Sequence, residues 1–183
     1  MNSAQFLVVL HAHQPVGRSD EDVAAAHAKL YRPLLDALLA EPAARLTLAL
    51  SGGLIEWFQS DELGTVEVIR QLVGRGQIEL LGGGAYEPLL TLLTDWDAQS
   101  QLNRMQELVM ALGVPAPTGA WLAQGVFEPD LPRILGPAGL HHAVLHPSPS
   151  GERVLGYGVV ERAGHPLALF LANSAVEIGR AHV

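Results

Sequence analysis

The sequence predicts an α/β domain built on parallel strands. Short apolar runs of strand length alternate with longer segments in which apolar residues recur at helical spacing. Apolar residues make up 49% of the 183 residues and charged residues 16%, as in a globular domain with a buried core. Strand, helix and strand in succession indicate crossover helices between parallel strands, so both a doubly wound sheet and a (β/α) barrel fit the pattern.

Five apolar runs are predicted to be buried strands, because each is short, bounded by polar, Gly or Pro residues, and apolar on both faces. They cover residues 6–10, 46–50, 77–81, 119–123 and 142–146. Two further strands are predicted over residues 153–160 and 166–172, where they form a hairpin after a loop rich in Pro, Ser and Gly.

Helical spacing predicts helices over residues 22–39, 62–73 and 95–112, and a shorter one over 129–135 that carries Pro in its first turn. The pattern is clearest in the third segment, whose apolar residues recur at intervals of three and four. Thr94 or Asp95 can cap its start, and Gly113 follows its end.

We expect one native domain over residues 1–176, because no internal repeat or linker divides the chain. The last seven residues, EIGRAHV at 177–183, correspond to the translation of a common sequencing adapter joined in frame. We therefore expect a non-native tail and a truncated domain, with an ordinary polar C-terminus as the alternative.

The formal net charge of −8 argues against nucleic acid or an anionic membrane as the main partner. The sequence has no cysteine, which excludes disulfides and thiolate metal sites. The N-terminus lacks the basic and apolar regions of a secretory signal, and no run approaches the roughly 18 apolar residues of a membrane span. A cytoplasmic protein is the expectation, and the oligomeric state stays open.

The HAHQP motif at residues 11–15 follows the first predicted strand. Side chains two residues apart in a strand point to the same side, so His11 and His13 should converge at the carboxyl end, where (β/α) barrels place active sites. The pair could bind zinc, could donate hydrogen bonds to sugar hydroxyls, or could be buried with local partners. For zinc, the candidates for further ligands are His141, His142 and His146, although neighbours cannot both face one side of a strand.

Two further loops carry candidate site residues. GGGAYEP at residues 82–88 follows the third strand, and its glycines allow close approach of a ligand but lack the spacing of a phosphate loop. Tyr86 and Glu87 in this loop could meet a sugar. In GAWLAQGVFEP at residues 119–129, Trp121 and Gln124 lie at the carboxyl end of the fourth strand.

Four segments in register resemble the successive signatures of glycoside hydrolase family 57: HAHQP at 11–15, SGGLIEWF at 51–58, GGAYEPLL at 83–90 and GAWLAQGVFEP at 119–129. The family includes 4-α-glucanotransferases, α-amylases, amylopullulanases and branching enzymes. The resemblance implies an incomplete seven-stranded (β/α) barrel of the glycoside hydrolase/deacetylase type, here truncated to its N-terminal part. It implies α-glucan or maltooligosaccharide as substrate, and sugar-binding roles for His11, His13, Glu87 and Trp121.

The resemblance also implies a retaining two-carboxylate mechanism that needs no metal or other cofactor, with the carboxyl groups roughly 5–5.5 Å apart. Here Gln124 occupies the position of the nucleophilic glutamate, and Gly125 and Phe127 replace the usual Arg and Trp. The family's acid/base aspartate lies beyond residue 183, and Asn173 stands where members often carry Asp. Glu128 matches a different position, at the start of the following helix.

Three hypotheses follow from these residues. The first is a family 57 hydrolase or glucanotransferase, silenced in this chain at Gln124. The second is a non-catalytic, amylase-like protein that binds glucan. The third is a metal-dependent hydrolase that uses His11 and His13.

Overall fold

A computed structural model of the chain describes residues 7–145 and 157–172. Its contacts divide the chain into two compact units. The first unit comprises Met1–Leu81 and Leu108–Pro115, and the second comprises Gly82–Glu107 and Ala116–Val183. No helix in the described ranges is both long enough and apolar enough to cross a membrane.

The first unit contains a parallel sheet in the order β1-β2-β3, formed by Val9–Ala12, Leu46–Leu50 and Ile78–Leu81. The second strand has the predicted bounds. The first strand runs two residues beyond its predicted end, because β2 offers Ala49 and Leu50 as partners for His11 and Ala12. His11 therefore lies inside the strand and not after it.

The predicted helix over 22–39 is interrupted by a π turn. It consists of α1 (Asp20–Ala26), the π turn (His27–Tyr31) and α2 (Arg32–Ala40). Ser19 caps α1 by accepting a hydrogen bond from the Asp22 backbone N–H. Proline at the start of α2 has no N–H to donate to the preceding turn, and the Arg32 N–H bonds the carbonyl of His27 five residues back.

Within the described ranges, the α-helix α3 at Gly52–Asp61 is not predicted by the sequence patterns. Two glycines in its first turn disfavour a helix. Burial of Leu54, Ile55 and Phe58, each at most 1% exposed, stabilises it instead. The next helix, α4 at Leu63–Gly74, lies within one residue of its predicted bounds.

The second unit contains a four-stranded sheet in the order β4-β5-β7-β6. Its strands are β4 (Gly119–Trp121), β5 (His142–Leu145), β6 (Tyr157–Arg162) and β7 (His165–Leu171). The first three in the sheet order are parallel, and β6 pairs antiparallel with β7. The predicted hairpin is thus confirmed, whereas His146 and residues 153–156 of the predicted strands lie outside the described residues.

The β6–β7 hairpin closes on a two-residue turn. Ala163 and Gly164 both have positive φ, at 55° and 81°. Two such residues match the twist of the flanking strands in a hairpin turn.

Helices α5 (Asp95–Ala111) and α6 (Leu131–Leu135) cover the core of the second unit. The first has its predicted start and ends one residue early. The second begins two residues later than predicted, with Pro132 in its first turn. Its buried residues Leu131, Ile134 and Leu135 join one apolar cluster with side chains from β4, β5 and β7. Both units therefore have the predicted architecture, parallel strands joined through helices.

Candidate functional site at the strand ends

In the first unit, the two histidines of HAHQP lie at the carboxyl end of β1. Their ring centroids are 5.8 Å apart and the rings are tilted by 33°. Both side chains are exposed, whereas Ala12 and Gln14 between and after them are buried. The exposure contradicts the alternative that His11 and His13 are buried core histidines. Imidazole side chains at the surface can donate or accept hydrogen bonds, or coordinate a metal.

Gln14 anchors the chain segment that carries these histidines. Its backbone N–H donates to Ser51 Oγ at 3.3 Å, and its side-chain amide donates to the Tyr31 hydroxyl at 2.6 Å. The Ser51 N–H in turn donates to the Ala12 carbonyl at 3.0 Å. The exit of β1 is thereby held on the end of β2 and on the π turn. This role of Gln14 was not predicted from the sequence. The signal for it was that Gln14 is polar and points to the side of the extended chain opposite to His11 and His13.

In the second unit, the glycine loop passes against β4. The Gly82 N–H donates to the Gly119 carbonyl at 2.8 Å, and the Trp121 N–H donates to the Gly82 carbonyl at 3.0 Å. Gly83 has φ of 130°, and a Cβ there would lie 2.5 Å from the Trp121 carbonyl oxygen. Glycine is therefore required at this position by both conformation and space.

Glu87 adopts the left-handed conformation at the end of this loop, with φ of 53°. Its N–H donates to the Gly84 carbonyl at 3.1 Å, which closes a tight turn. A non-glycine residue held in this region stores backbone strain, which is common at functional sites. The turn is followed by Pro88, whose ring would contact any Cβ at Gly84.

Glu87 and Trp121 line one small cavity of about 20 Å³. Pro88, Ala123 and Val126 contribute to its walls. Trp121 is the last residue of β4, and Gln124 follows it in a short 3₁₀ turn, Ala123–Gly125. The predicted carboxylate and indole thus border the same cavity at the carboxyl end of β4, with Trp121 three residues before Gln124 along the chain.

The remaining sequence candidates lie elsewhere. Tyr86 is 41% exposed, and its backbone N–H donates to Gln101 Oε1 at 3.1 Å. His141 precedes β5 and is exposed, while the His142 ring packs edge-on against Phe170 with centroids 5.9 Å apart. Glu128 was predicted to lie at the start of a helix. It lies instead in an exposed turn, three residues before α6 begins.

Polar side chains at the carboxyl ends of parallel strands define the class of α/β proteins that bind substrates at that edge. The chain belongs to glycosyl hydrolase family 57, whose family profile matches residues 7–146.

The similarity extends over most of the chain. Alpha-amylase 1 of Dictyoglomus thermophilum is 30% identical over 174 residues, 92% of this chain and 25% of that protein. The 4-alpha-glucanotransferase of Thermococcus kodakarensis is 31% identical over 79% of this chain and 22% of its own length. The crystal structure of 4-alpha-glucanotransferase from Thermococcus litoralis superposes with a TM-score of 0.85 at 26% identity, covering 93% of this chain and 28% of that one.

The chain thus spans about a quarter of the length of these relatives. Its fold is α/β with parallel sheets, like the N-terminal portion of the family 57 catalytic barrel. The prediction of family and fold class from four motifs in register is confirmed.

Proposed function

We propose that this chain is the glucan-binding N-terminal part of a family 57 hydrolase or glucanotransferase, and that it binds α-glucan without forming a glycosyl-enzyme ester. The observation that carries the proposal is that Glu87 and Trp121 border one cavity at the end of β4; at about 20 Å³ it has room for roughly one water molecule, so the sugar is proposed to bind over its mouth. Membership of family 57 supports α-glucan as the ligand class.

An indole and a carboxylate are a suitable pair for a glucose unit. The Trp121 ring can pack on the apolar face of a pyranose, and its edge can donate a hydrogen bond. The Glu87 carboxylate accepts hydrogen bonds from hydroxyl groups, and such charge-assisted bonds are stronger than neutral ones. In the first unit, we also propose a sugar-binding role for the exposed imidazoles of His11 and His13.

Gln124 is the reason for proposing binding without covalent turnover. In a retaining reaction a carboxylate attacks the anomeric carbon and forms an ester, while a carboxylic acid protonates the leaving oxygen. An uncharged amide at position 124 cannot form that ester. It also carries no negative charge to stabilise an oxocarbenium-like transition state. It can still donate and accept hydrogen bonds with sugar hydroxyls.

Titration with maltoheptaose tests the binding part of the proposal. We expect Trp121→Ala to weaken binding by about tenfold or more, because stacking and one hydrogen bond are lost. Tyr157→Ala is the matched control, since Tyr157 is an aromatic residue on β6 that is 70% exposed. Equal affinities of the two variants, or no binding by the parent chain, would overturn the proposed glucan site.

Covalent trapping tests the role of position 124. A fluorinated maltosyl fluoride needs no acid to expel fluoride, so it reports the nucleophile without the acid/base residue. We expect no mass increase for the parent chain and a glycosyl adduct for Gln124→Glu, with Gln124→Ala as the control. An adduct on the parent chain would refute the proposal. A Gln124→Glu variant that binds maltoheptaose but forms no adduct would favour the non-catalytic homologue.

The pair of imidazoles 5.8 Å apart favours one second candidate, a metal-dependent hydrolase. Elemental analysis of purified protein distinguishes it. One zinc ion per parent chain that is lost in His11→Ala and His13→Ala would support the metal site. A parent chain with no more zinc than these variants would exclude the metal-dependent hydrolase.

A further inference from the structure

The second unit has a larger groove beside the cavity at the end of β4. It has a volume of about 390 Å³, within the range of about 300–1,000 Å³ typical of small-molecule sites. The segment before α5 forms one wall, with Leu92 and Asp95, and the turn before α6 forms the other, with Glu128, Pro129 and Asp130. Arg133 of α6 completes the lining.

Cross-element contacts hold these walls in place. The Arg133 guanidinium donates two hydrogen bonds to the Asp95 carboxylate, at 2.7 and 3.0 Å, and so joins α6 to the start of α5. Asp130 accepts a hydrogen bond from Arg162 of β6 at 2.8 Å. Gln99 of α5 donates to the Ile134 carbonyl at 2.6 Å. A groove fixed in this way loses little conformational entropy when a ligand enters.

The lining combines acceptors for hydroxyl groups with an exposed apolar surface. Asp95, Glu128 and Asp130 supply carboxylate oxygens, and the hydrogen bonds from Arg133 keep the pKa of Asp95 below its ordinary value. Leu92 is 78% exposed at the rim. Three carboxylates against one lining guanidinium disfavour an anionic ligand, whereas a neutral polyhydroxylated ligand can use both the acceptors and the apolar wall.

The groove adjoins the cavity that Glu87 and Trp121 line. Thr91, in the short 3₁₀ turn Leu90–Leu92, lines both of them. A ligand longer than one or two sugar units that is bound at Trp121 can therefore extend past Thr91 into the groove.

We propose that this groove is an auxiliary subsite that binds the distal units of an α-glucan chain whose other end is bound at Trp121. The inference rests on the proposed function and extends it to chain length. Short maltooligosaccharides contact the Trp121 and Glu87 side chains alone, and longer chains gain affinity from Asp95, Glu128 and the apolar rim.

Titration with maltotriose and maltoheptaose, followed by calorimetry on the full chain, tests the subsite. We expect Glu128→Ala to weaken maltoheptaose binding about tenfold, the effect of losing roughly one charge-assisted hydrogen bond, and to leave maltotriose binding unchanged. Asp95→Asn serves as a second variant with the same expected pattern. The control is Asp36→Asn, because Asp36 is also an exposed partner of an arginine, Arg32, but lies on α2.

Unchanged maltoheptaose affinity in both groove variants, with Trp121→Ala still weakening both ligands, would overturn the subsite and leave the proposed function standing. Equal affinity of the parent chain for maltotriose and maltoheptaose would also overturn it. No binding of either ligand by the parent chain would overturn both proposals.

Discussion

Replacing the buried amide of Gln77 tests how the first unit is held together. Gln77 is 2% exposed and immediately precedes β3. Its side-chain N–H groups donate to the carbonyls of Leu38, Glu41 and Ala44, at 2.7, 3.1 and 3.4 Å. The amide therefore ties the end of α2 and the turn after it to the residue that precedes β3.

The size of the effect depends on whether a charge is introduced. In Gln77→Met the carbonyls lose a donor, but those of Leu38 and Glu41 also accept backbone hydrogen bonds, at 3.3 and 2.9 Å. We expect a cost of about 1–3 kcal/mol in the free energy of unfolding, as for a lost buried hydrogen bond. In Gln77→Glu a carboxylate faces carbonyl oxygens in a buried site, and an uncompensated buried charge costs about 3–5 kcal/mol.

The two variants should differ in pH dependence. Burial and the facing carbonyls favour the protonated acid, so the pKa of Glu at position 77 is raised in the folded state above its unfolded value of about 4.3. The folded state then binds more protons, and stability falls as pH rises through the folded pKa. Urea denaturation at several pH values measures the difference in the free energy of unfolding between Gln77→Glu and Gln77→Met. The contributions of all other titrating groups cancel in this difference. Equal unfolding free energies of the two variants at neutral pH, or a difference that does not shrink in acid, would contradict this account of Gln77.

Three further outcomes are expected. Burial lowers the pKa of His27 below its ordinary value of 6.5. The neutral ring therefore contributes stability above pH 6.5, and this contribution is lost as the pH falls through the folded pKa. Thermal unfolding across pH should show this loss in the parent chain and not in His27→Gln. Gly119→Ala would set a Cβ against His142 Nε2 and should cost about 1–3 kcal/mol, a penalty that disappears when it is combined with His142→Ala in a double-mutant cycle. Leu135→Ala, at a side chain with 0% exposure, should cost about 2–5 kcal/mol, whereas Leu63→Ala, at 68% exposure, should be nearly neutral in the same denaturation assay.

The sequence patterns predicted most strands and helices because burial on both faces leaves a strong local signal. Leu46–Leu50 and α5 are examples, since their apolar spacing matches the period of the element that forms. Helix α3 was missed because its stability comes from burial of its apolar side chains, which outweighs the low helix propensity of its glycines. The π turn was missed because apolar periodicity does not distinguish four from five residues per hydrogen-bonded turn.

Motif reasoning named the site residues but not their surroundings. His11, His13, Glu87 and Trp121 could be proposed from four short motifs in register. Nothing in those motifs indicated that Gln14 bonds Tyr31, since the two are separated by 17 positions along the chain. The groove at Asp95 and Glu128 was equally hidden, because its walls come from segments more than thirty residues apart in the numbering.

The family, the parallel α/β class and the amide at position 124 all follow from the amino-acid sequence alone. These are properties of local pattern and residue identity, and they do not depend on how distant segments pack. Neither the cavity that Glu87 and Trp121 share nor the second groove that Thr91 also lines could be read before the chain was folded. A binding site is made of side chains that strand pairing and helix packing bring together from distant parts of the chain. The periodicity of a single sequence reports local structure and carries no information about which distant segments come into contact.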